Sequence, residues 1–326
     1  MKPVALIALW AGLAAMLMAF PAFAGAYLTY LACLVAINVI ATTGLNITVG
    51  YAGLLSIGHS AFIGVGAYVS ALASLRLGAP LALDILFGAV AAFGVGLLFG
   101  VPSLRIKGVF LAIATLAAQY SLYFIFQQWT DVTGGDRGLS LPQLDLFGLG
   151  DTGFYYLVVT FAALLCIAAR NLFRTRIGRA FITVRERDYA AEVLGVDVVR
   201  YKLLAFGLGA AYAGIAGALT AIFLRIVNPD QFTLNVSVFF LAAAIVGGRA
   251  SILGSILGAA FMTLIPELLK AGLDLVSHSI AMNVAGVLSP LREMIFGMLI
   301  VGFLMFEPQG LSGLFGRAAG AHAGTA

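Results

Sequence analysis

The sequence predicts an all-α, polytopic transmembrane helical bundle, and three observations predict it. Of 326 residues, 62% are apolar and 10% are Asp, Glu, Lys or Arg, whereas an ordinary soluble domain carries about 25% charged residues. Apolar runs of bilayer length recur along the chain, and ten spans of about 20 residues would absorb nearly all of the apolar content. The charge is concentrated: 12 of the 32 charged residues, eight basic and four acidic, lie between Arg170 and Lys202. This pattern excludes a large soluble catalytic domain, a nucleic-acid binder working through basic patches, and a disordered chain.

The apolar runs fall at 4–23, 27–49, 51–75, 81–101, 108–128, 153–169, 203–226, 235–247, 252–272 and 288–306. The first ends near Ala22-x-Ala24, which imitates a signal-peptidase site. Its length and the span that follows at once predict a retained helix instead. The run at 235–247 is short for a crossing. Short cytoplasmic loops are rich in Lys and Arg, so the 170–202 loop is expected inside, together with Lys2, Arg105, Lys107, Arg249 and Arg317. The 129–152 loop, with Asp131, Asp136, Asp145 and Asp151 against Arg137, is expected outside. So is the loop at Asn228, Pro229 and Asp230. Both termini then lie in the cytoplasm, and Arg76 is the one charge out of place. The whole chain, 1–326, reads as a single transmembrane domain with a cytoplasmic loop, 170–202, and a C-terminal tail, 307–326.

Glycine contributes 39 residues, and small residues let membrane helices approach closely. Gly64-x-Gly66, Gly94-x-Gly96, Gly207-x-Gly209, Gly214-x-x-Gly217 and Gly254-x-x-x-Gly258 are read as packing contacts. Two stretches do not look like plain helices. Residues 44–68 mix Asn46, Thr48, Ser56, His59 and Ser60 with six glycines, and residues 246–259 carry Gly247, Gly248, Arg249, Ser251 and Ser255. Irregular backbone survives at membrane depth only where protein buries it or where it lines a cavity. The first stretch therefore reads as a broken or re-entrant helix beside a translocation path, or as a tightly packed internal helix. His59 alone reads more readily as a hydrogen-bonded structural histidine than as a proton carrier. Ser251-Ile-Leu-Gly254 faintly echoes Ser56-Ile-Gly58.

Asp84, Glu267, Asp274 and Glu293 stand near span ends, so no chain of carboxylates crosses the membrane to drive uphill transport. The phosphate-binding pattern GxxxxGK[ST], HExxH and GxSxG are absent. Cys33 and Cys166 lie in apolar runs, with no metal-ligand spacing. If this chain drives transport, the energy must come from another subunit. Within the basic loop, Ala180, Val184, Ala191 and Leu194 recur at helical spacing, and Gly195 is a helix stop. A short amphipathic helix is expected, which its basic flanks suit to the membrane surface and which the loop's four acids and its small residues Ala190 and Ala191 suit better to protein docking.

Gly178-Arg-Ala180, Arg185-Glu-Arg-Asp-Tyr-Ala-Ala-Glu-Val-Leu-Gly195, Tyr201-Lys-Leu-Leu-Ala-Phe206 and Ala213-Gly-Ile-Ala-Gly-Ala-Leu219 resemble the coupling-loop region of branched-chain amino acid ABC transporter permeases. The segment Gly50 to Tyr68 resembles a second signature of that family. Leu104-Arg-Ile-Lys-Gly-Val-Phe-Leu-Ala-Ile-Ala-Thr-Leu-Ala117 and Thr133-Gly-Gly-Asp-Arg-Gly-Leu139 favour its LivM type. The resemblance covers about residues 30–315. It implies a permease subunit of the bacterial inner membrane, no enzyme by itself and binding no cofactor or metal, that imports branched-chain amino acids by alternating access. Its implied partners are a LivH-type permease subunit, two cytoplasmic ATPase subunits that hydrolyse ATP, and a periplasmic substrate-binding protein; no nucleic acid is involved. Relatives that carry urea, amides or aromatic acids are the alternative, and a stand-alone secondary carrier is a second. The matching coupling residues are Gly178, Arg179, Ala180, Arg185, Glu186, Asp188, Ala190, Ala191, Leu194 and Gly195. The residues expected to border the path are Asn46, Thr48, Gly53, Ser56, Gly58, His59, Ser60, Thr115, Gln119, Thr133, Gly134 and Gly135. The sequence departs from the family pattern at Ala250, where a glycine is usual, and at Ser255, where a proline is usual.

Overall fold

The computed structural model describes residues 18–106, 108–142, 150–186, 188–193 and 195–280, with 294–295, 297–298, 301–302, 305 and 310–313. Among these, eight segments are long and apolar enough to cross a membrane: 26–51, 59–77, 81–104, 109–128, 150–174, 198–224, 229–247 and 252–271. They correspond to the eight inner runs of the sequence. The runs at 4–23 and 288–306 fall largely outside the described residues. Among the described residues the bundle is helical except for its loops and one two-residue antiparallel bridge.

Helix α1 is Ala26–Leu45 and passes into a π-helical turn, Asn46–Tyr51. The chain leaves helical geometry over 52–58 and resumes as α2, His59–Leu72. The apolar run at 51–75 is thus broken near its start, as the mixture of glycine and polar residues predicted. Next come α3, Leu81–Gly100, and α4, Val109–Gln128. The strand β1, Leu139–Ser140, precedes α5, Gly150–Arg174. The basic loop folds as α6, Arg176–Glu186, and α7, Asp188–Val193. Helix α8, Val198–Leu224, leads through β2, Ile226–Val227, and a 3-10 turn, Pro229–Phe232, into α9, Leu234–Gly247. Helix α10 is Ile252–Ile280. Fourteen residues of α9 rise about 21 Å, short of the roughly 30 Å hydrocarbon core. The 229–232 turn supplies the missing length.

Helix α8 is the centre of the bundle, and its glycines and alanines are the reason. A Cβ on Gly217 would stand 1.9 Å from the Ile63 carbonyl oxygen, and one on Gly66 would stand 2.3 Å from the Gly214 Cα. Gly44 meets Tyr212 at 2.6 Å and Gly96 meets Ala210 at 2.4 Å in the same sense. Helices α1, α2 and α3 therefore lie against α8 backbone to backbone, which gains dispersion contacts where lipid offers no hydrophobic drive. Gly94 has open space around it, so its expected packing role does not hold.

Both ends of the bundle are tied. Away from the basic loop, β1 pairs with β2, Leu139 opposite Val227 and Ser140 opposite Ile226. Arg225 lies 3.1 Å from Asp151. Arg76, the charge that defied the loop pattern, donates from Nη2 to the Asp131 carbonyl at 3.0 Å and anchors the 129–142 loop. At the basic loop, the Asp197 carboxylate caps α8 by accepting from the Arg200 amide at 3.1 Å. Gly195, at φ +78°, ends α7 as expected.

Gly217→Val is expected to lower stability by about 1–3 kcal/mol or more through overpacking, while Gly94→Ala stays within about 0.5 kcal/mol of the parent. Thermal unfolding of the purified protein in detergent checks both.

Candidate translocation and coupling site

The π-turn ends α1 with buried polar side chains. Asn46, 1% exposed, donates from Nδ2 to the Ser251 carbonyl at 2.9 Å and to Ser255 Oγ at 2.8 Å. Its Oδ1 accepts from the Ala250 amide at 2.9 Å. One side chain thus joins the two irregular stretches of the sequence, fastening the end of α1 to the 248–251 turn between α9 and α10. Thr48 Oγ1 donates to the Ala205 carbonyl on α8 at 3.2 Å. Gly50 has no room for a side chain, since a Cβ there would stand 1.8 Å from Asn46 Oδ1 and 2.6 Å from the Ala250 nitrogen.

Both departures from the family pattern lie in this junction. Ser255 replaces the usual proline, and its hydroxyl accepts from Asn46 while donating to the Ser251 carbonyl at 3.2 Å. Ala250 replaces the usual glycine yet holds φ at +59°, a left-handed conformation that costs an L-residue roughly 1–2 kcal/mol. The turn keeps the shape that glycine favours and carries the strain.

A second polar cluster forms where α2 begins. Gln119 on α4 donates from Nε2 to the Phe232 carbonyl at 2.6 Å. Its Oε1 accepts from the Ala61 amide at 2.9 Å and faces the hydroxyls of Ser60 at 3.0 Å and Ser237 at 3.2 Å. The Ser60 amide donates to Ser237 Oγ at 2.9 Å. Thr115 Oγ1 accepts from the Ile57 amide at 3.0 Å, so α4 catches the last residues of the break. The first turns of a helix leave amides without helical acceptors, and here Gln119 and Ser237 accept them. His59 Nε2 faces the Ala41 carbonyl at 2.8 Å. A carbonyl only accepts, so Nε2 carries the proton and His59 ties α2 to α1, as its structural reading anticipated. Thr133, Gly134 and Gly135 form a separate turn at the far end. Thr133 Oγ1 donates to the Phe126 carbonyl at 2.7 Å, and the Phe126 ring meets Tyr68 and Phe232 at centroid distances of 4.8 and 6.4 Å.

The residues expected to border the path are therefore gathered in three places. Asn46, Thr48 and Gly53 sit by the basic loop, Gly58, His59, Ser60, Thr115 and Gln119 around the start of α2, and Thr133, Gly134 and Gly135 at the opposite end. Except for Gly53 and Gly134, these residues are buried within the chain. The Ser56 hydroxyl, also buried, has no hydrogen-bond partner among the described residues. Along the break burial alternates: Ala52, Leu54, Ser56 and Gly58 face inward, Gly53 and Leu55 are exposed, and Ile57 is half-buried. Sequence reasoning missed Ser237 and the carbonyls of Phe232 and Thr233, both of which face the Ser60 hydroxyl. Ser237 carried a signal, a serine inside the short apolar run at 235–247.

The basic loop meets the break directly. Arg185, in the last turn of α6, donates from Nη1 to the Gly50 carbonyl at 2.7 Å. Tyr51 stacks on Phe173 at the end of α5. Three small residues of the loop, Gly178, Ala180 and Ala191, pack inward. A Cβ on Gly178 would stand 2.3 Å from the Phe173 Cα, Ala180 is buried, and Ala191 is fully buried with Val184 and Val198. For Ala191 this corrects the docking expectation, because its side chain closes the turn of the loop onto α8. The outward face carries Arg179, Ile182, Glu186, Tyr189, Glu192 and Val193, with Tyr189 80% and Val193 72% exposed. Asp188 belongs to α7, while its side chain, that of Ala190, and Leu194 fall outside the described residues.

A bundle of this build is a multi-pass membrane protein, and irregular backbone between packed spans, with its free groups met by protein, is a device of transporters. The chain belongs to the family described as branched-chain amino acid transport system, permease component, which it matches over residues 27–304. It is similar to the high-affinity branched-chain amino acid transport system permease protein LivM of Escherichia coli strain K12, 33% identical over 308 residues covering 86% of this chain and 69% of that protein. A probable LivM of Methanocaldococcus jannaschii is 27% identical over 237 residues, 71% of this chain and 68% of that one. The LivH permease protein of Escherichia coli strain K12 is 27% identical over 253 residues, 71% of this chain and 81% of that one. No solved structure matches the chain.

Ala250→Gly is expected to raise stability by about 1 kcal/mol by relieving the left-handed alanine. Chemical or thermal unfolding in detergent reads the change.

Proposed function

We propose that this chain is the LivM-type membrane subunit of an ATP-binding-cassette importer, carrying leucine, isoleucine and valine across the bacterial inner membrane. The observation that carries the mechanism is the bonded contact between the basic loop and the broken helix. An importer without its own energy source needs a physical connection from an external motor to an irregular segment at membrane depth, and Arg185, Gly50 and the Tyr51 stack provide one. In this reading the partners are a LivH-type permease subunit, two cytoplasmic ATPase subunits and a periplasmic binding protein. ATP is hydrolysed by those ATPases, and this chain performs no covalent chemistry and holds no cofactor. The charge distribution supports ten spans with the basic loop and both termini in the cytoplasm.

The proposed path runs beside the break. In the conformation described, most of its polar groups are spent on one another, while Gly53 and Leu55 face out of the chain and Ile57 is half-buried. Movement of the break would uncover Asn46, Ser56, Ser60 and Gln119, whose amides and hydroxyls replace water around a zwitterion. Leu55 and Ile57 would present apolar surface to an aliphatic side chain. Docking of the ATPase is assigned to Tyr189 and Val193, the exposed apolar pair of α7.

Reconstitution in liposomes with the candidate partners tests this reading. ATP-dependent, binding-protein-dependent uptake of labelled leucine is expected, and uptake by this chain alone without ATP would overturn the importer assignment. Ser56→Leu is expected to reduce uptake about tenfold or more, since a group lost only as the path opens costs transport rather than assembly. Normal uptake by this variant at normal membrane abundance would remove residues 52–58 from the path.

A further inference from the structure

We infer that Arg185 is the positioning residue that transmits movement of the basic loop to the broken helix, with Gly50 as the point of attachment and Asn46 as the arm that carries the movement on to the 248–251 turn. The inference rests on the importer reading and goes beyond it by naming the bonds of the transmission. A helix end leaves its last carbonyls without helical donors. Here the π-turn closes with the Ala52 amide on the Ile47 carbonyl at 3.2 Å and the Leu54 amide on the Thr48 carbonyl at 3.0 Å. The Gly50 carbonyl takes its donor from outside, the Arg185 guanidinium. A cation at a helix C-terminus is favoured by the backbone dipoles, and a charge-assisted bond is about twice as strong as a neutral one.

Three features make this contact a transmission rather than a surface accident. Arg185 extends from a helix whose other face is fixed, with Phe181 fully buried and Val184 3% exposed, so α6 moves with its packing and not as a loose arm. Gly53, at φ +70°, lets the chain pass over the arginine stem, and a Cβ there would stand 2.7 Å from Arg185 Cγ. Gly50 is bounded on its other side by Asn46 Oδ1 and the Ala250 nitrogen, so displacement of its carbonyl disturbs the three hydrogen bonds of Asn46. The loop, the end of α1 and the turn between α9 and α10 are thus joined in series through about five side-chain and backbone groups, as rigid-body coupling requires.

The test is the number of ATP molecules hydrolysed per solute imported, measured in proteoliposomes that hold the full complex with its binding protein. Arg185→Ala and Arg185→Gln are expected to raise that ratio about tenfold, the factor that loss of one charge-assisted hydrogen bond supplies. Arg185→Lys, which keeps a cationic donor, is expected to recover the ratio to within about threefold of the parent. Gly53→Ala is expected to raise the ratio too, and to add nothing in the Arg185→Ala background, since the two act on one contact. A parental ratio in Arg185→Ala overturns the proposal. A merely structural or docking role would lower import and hydrolysis together and leave the ratio unchanged, which also overturns it. Failure of the importer reading is distinguishable, because the parent protein would then show no hydrolysis that responds to the binding protein.

Discussion

Backbone amides and carbonyls shut away from water must be met by protein, and residues 52–58, between two candidate spans, leave the helical ladder among packed helices. The backbone groups of this segment and of the helix ends that flank it are met by side chains. Thr115 takes the Ile57 amide, Gln119 the Ala61 amide, Ser237 the Ser60 amide and Arg185 the Gly50 carbonyl. These partners come from α4, α9 and α6, elements far apart in sequence. The break can persist only if the bundle holds all of them in place, so the irregular segment fixes the arrangement of the helices around it.

Close approach along α8 makes that arrangement possible. With glycine and alanine at its contacts, α8 touches α1, α2 and α3 nearly backbone to backbone, and the short distances bring side chains as small as serine and threonine within bonding reach across helices. Larger residues would widen the spacing and leave the polar groups of the break unmet, each at a cost of about 1–3 kcal/mol. The packing and the hydrogen bonding are one requirement seen from two sides. The same tightness lets a displacement of the loop at Arg185 reach the 248–251 turn, because packed interfaces shift between arrangements rather than deform gradually.

Much of this was legible in the sequence because its signals are local. Apolar runs gave the spans, the mixture of Asn46, Ser56, His59 and Ser60 with glycines gave the break, and Gly195 gave the end of the loop helix. The run at 235–247 is short for a crossing, and the 229–232 turn explains how the segment nevertheless reaches spanning length. What remained hidden was pairing at long range. Nothing near Asn46 in sequence reveals that its partners are Ala250, Ser251 and Ser255, although both stretches looked irregular for this one shared reason. The inward packing of Ala191 was hidden in the same way, since a small residue at helical spacing fits a partner's groove and a chain's own turn equally well. Arg185 reads from sequence as a coupling residue, but its partner, the Gly50 carbonyl, came to light only when the fold set the two side by side.

The central claim is that the break at 46–58 and the turn at 248–251 move as one unit, held together by Asn46. Hydrogen exchange of the full complex, with and without ATP, tests it most directly at the amides of Ile57, Ala61 and Ala250. The account predicts that protection at all three changes together on ATP binding, and that Asn46→Leu removes the link so that Ala250 exchanges independently. A change at Ile57 and Ala61 with Ala250 unaffected in the parent protein would contradict it.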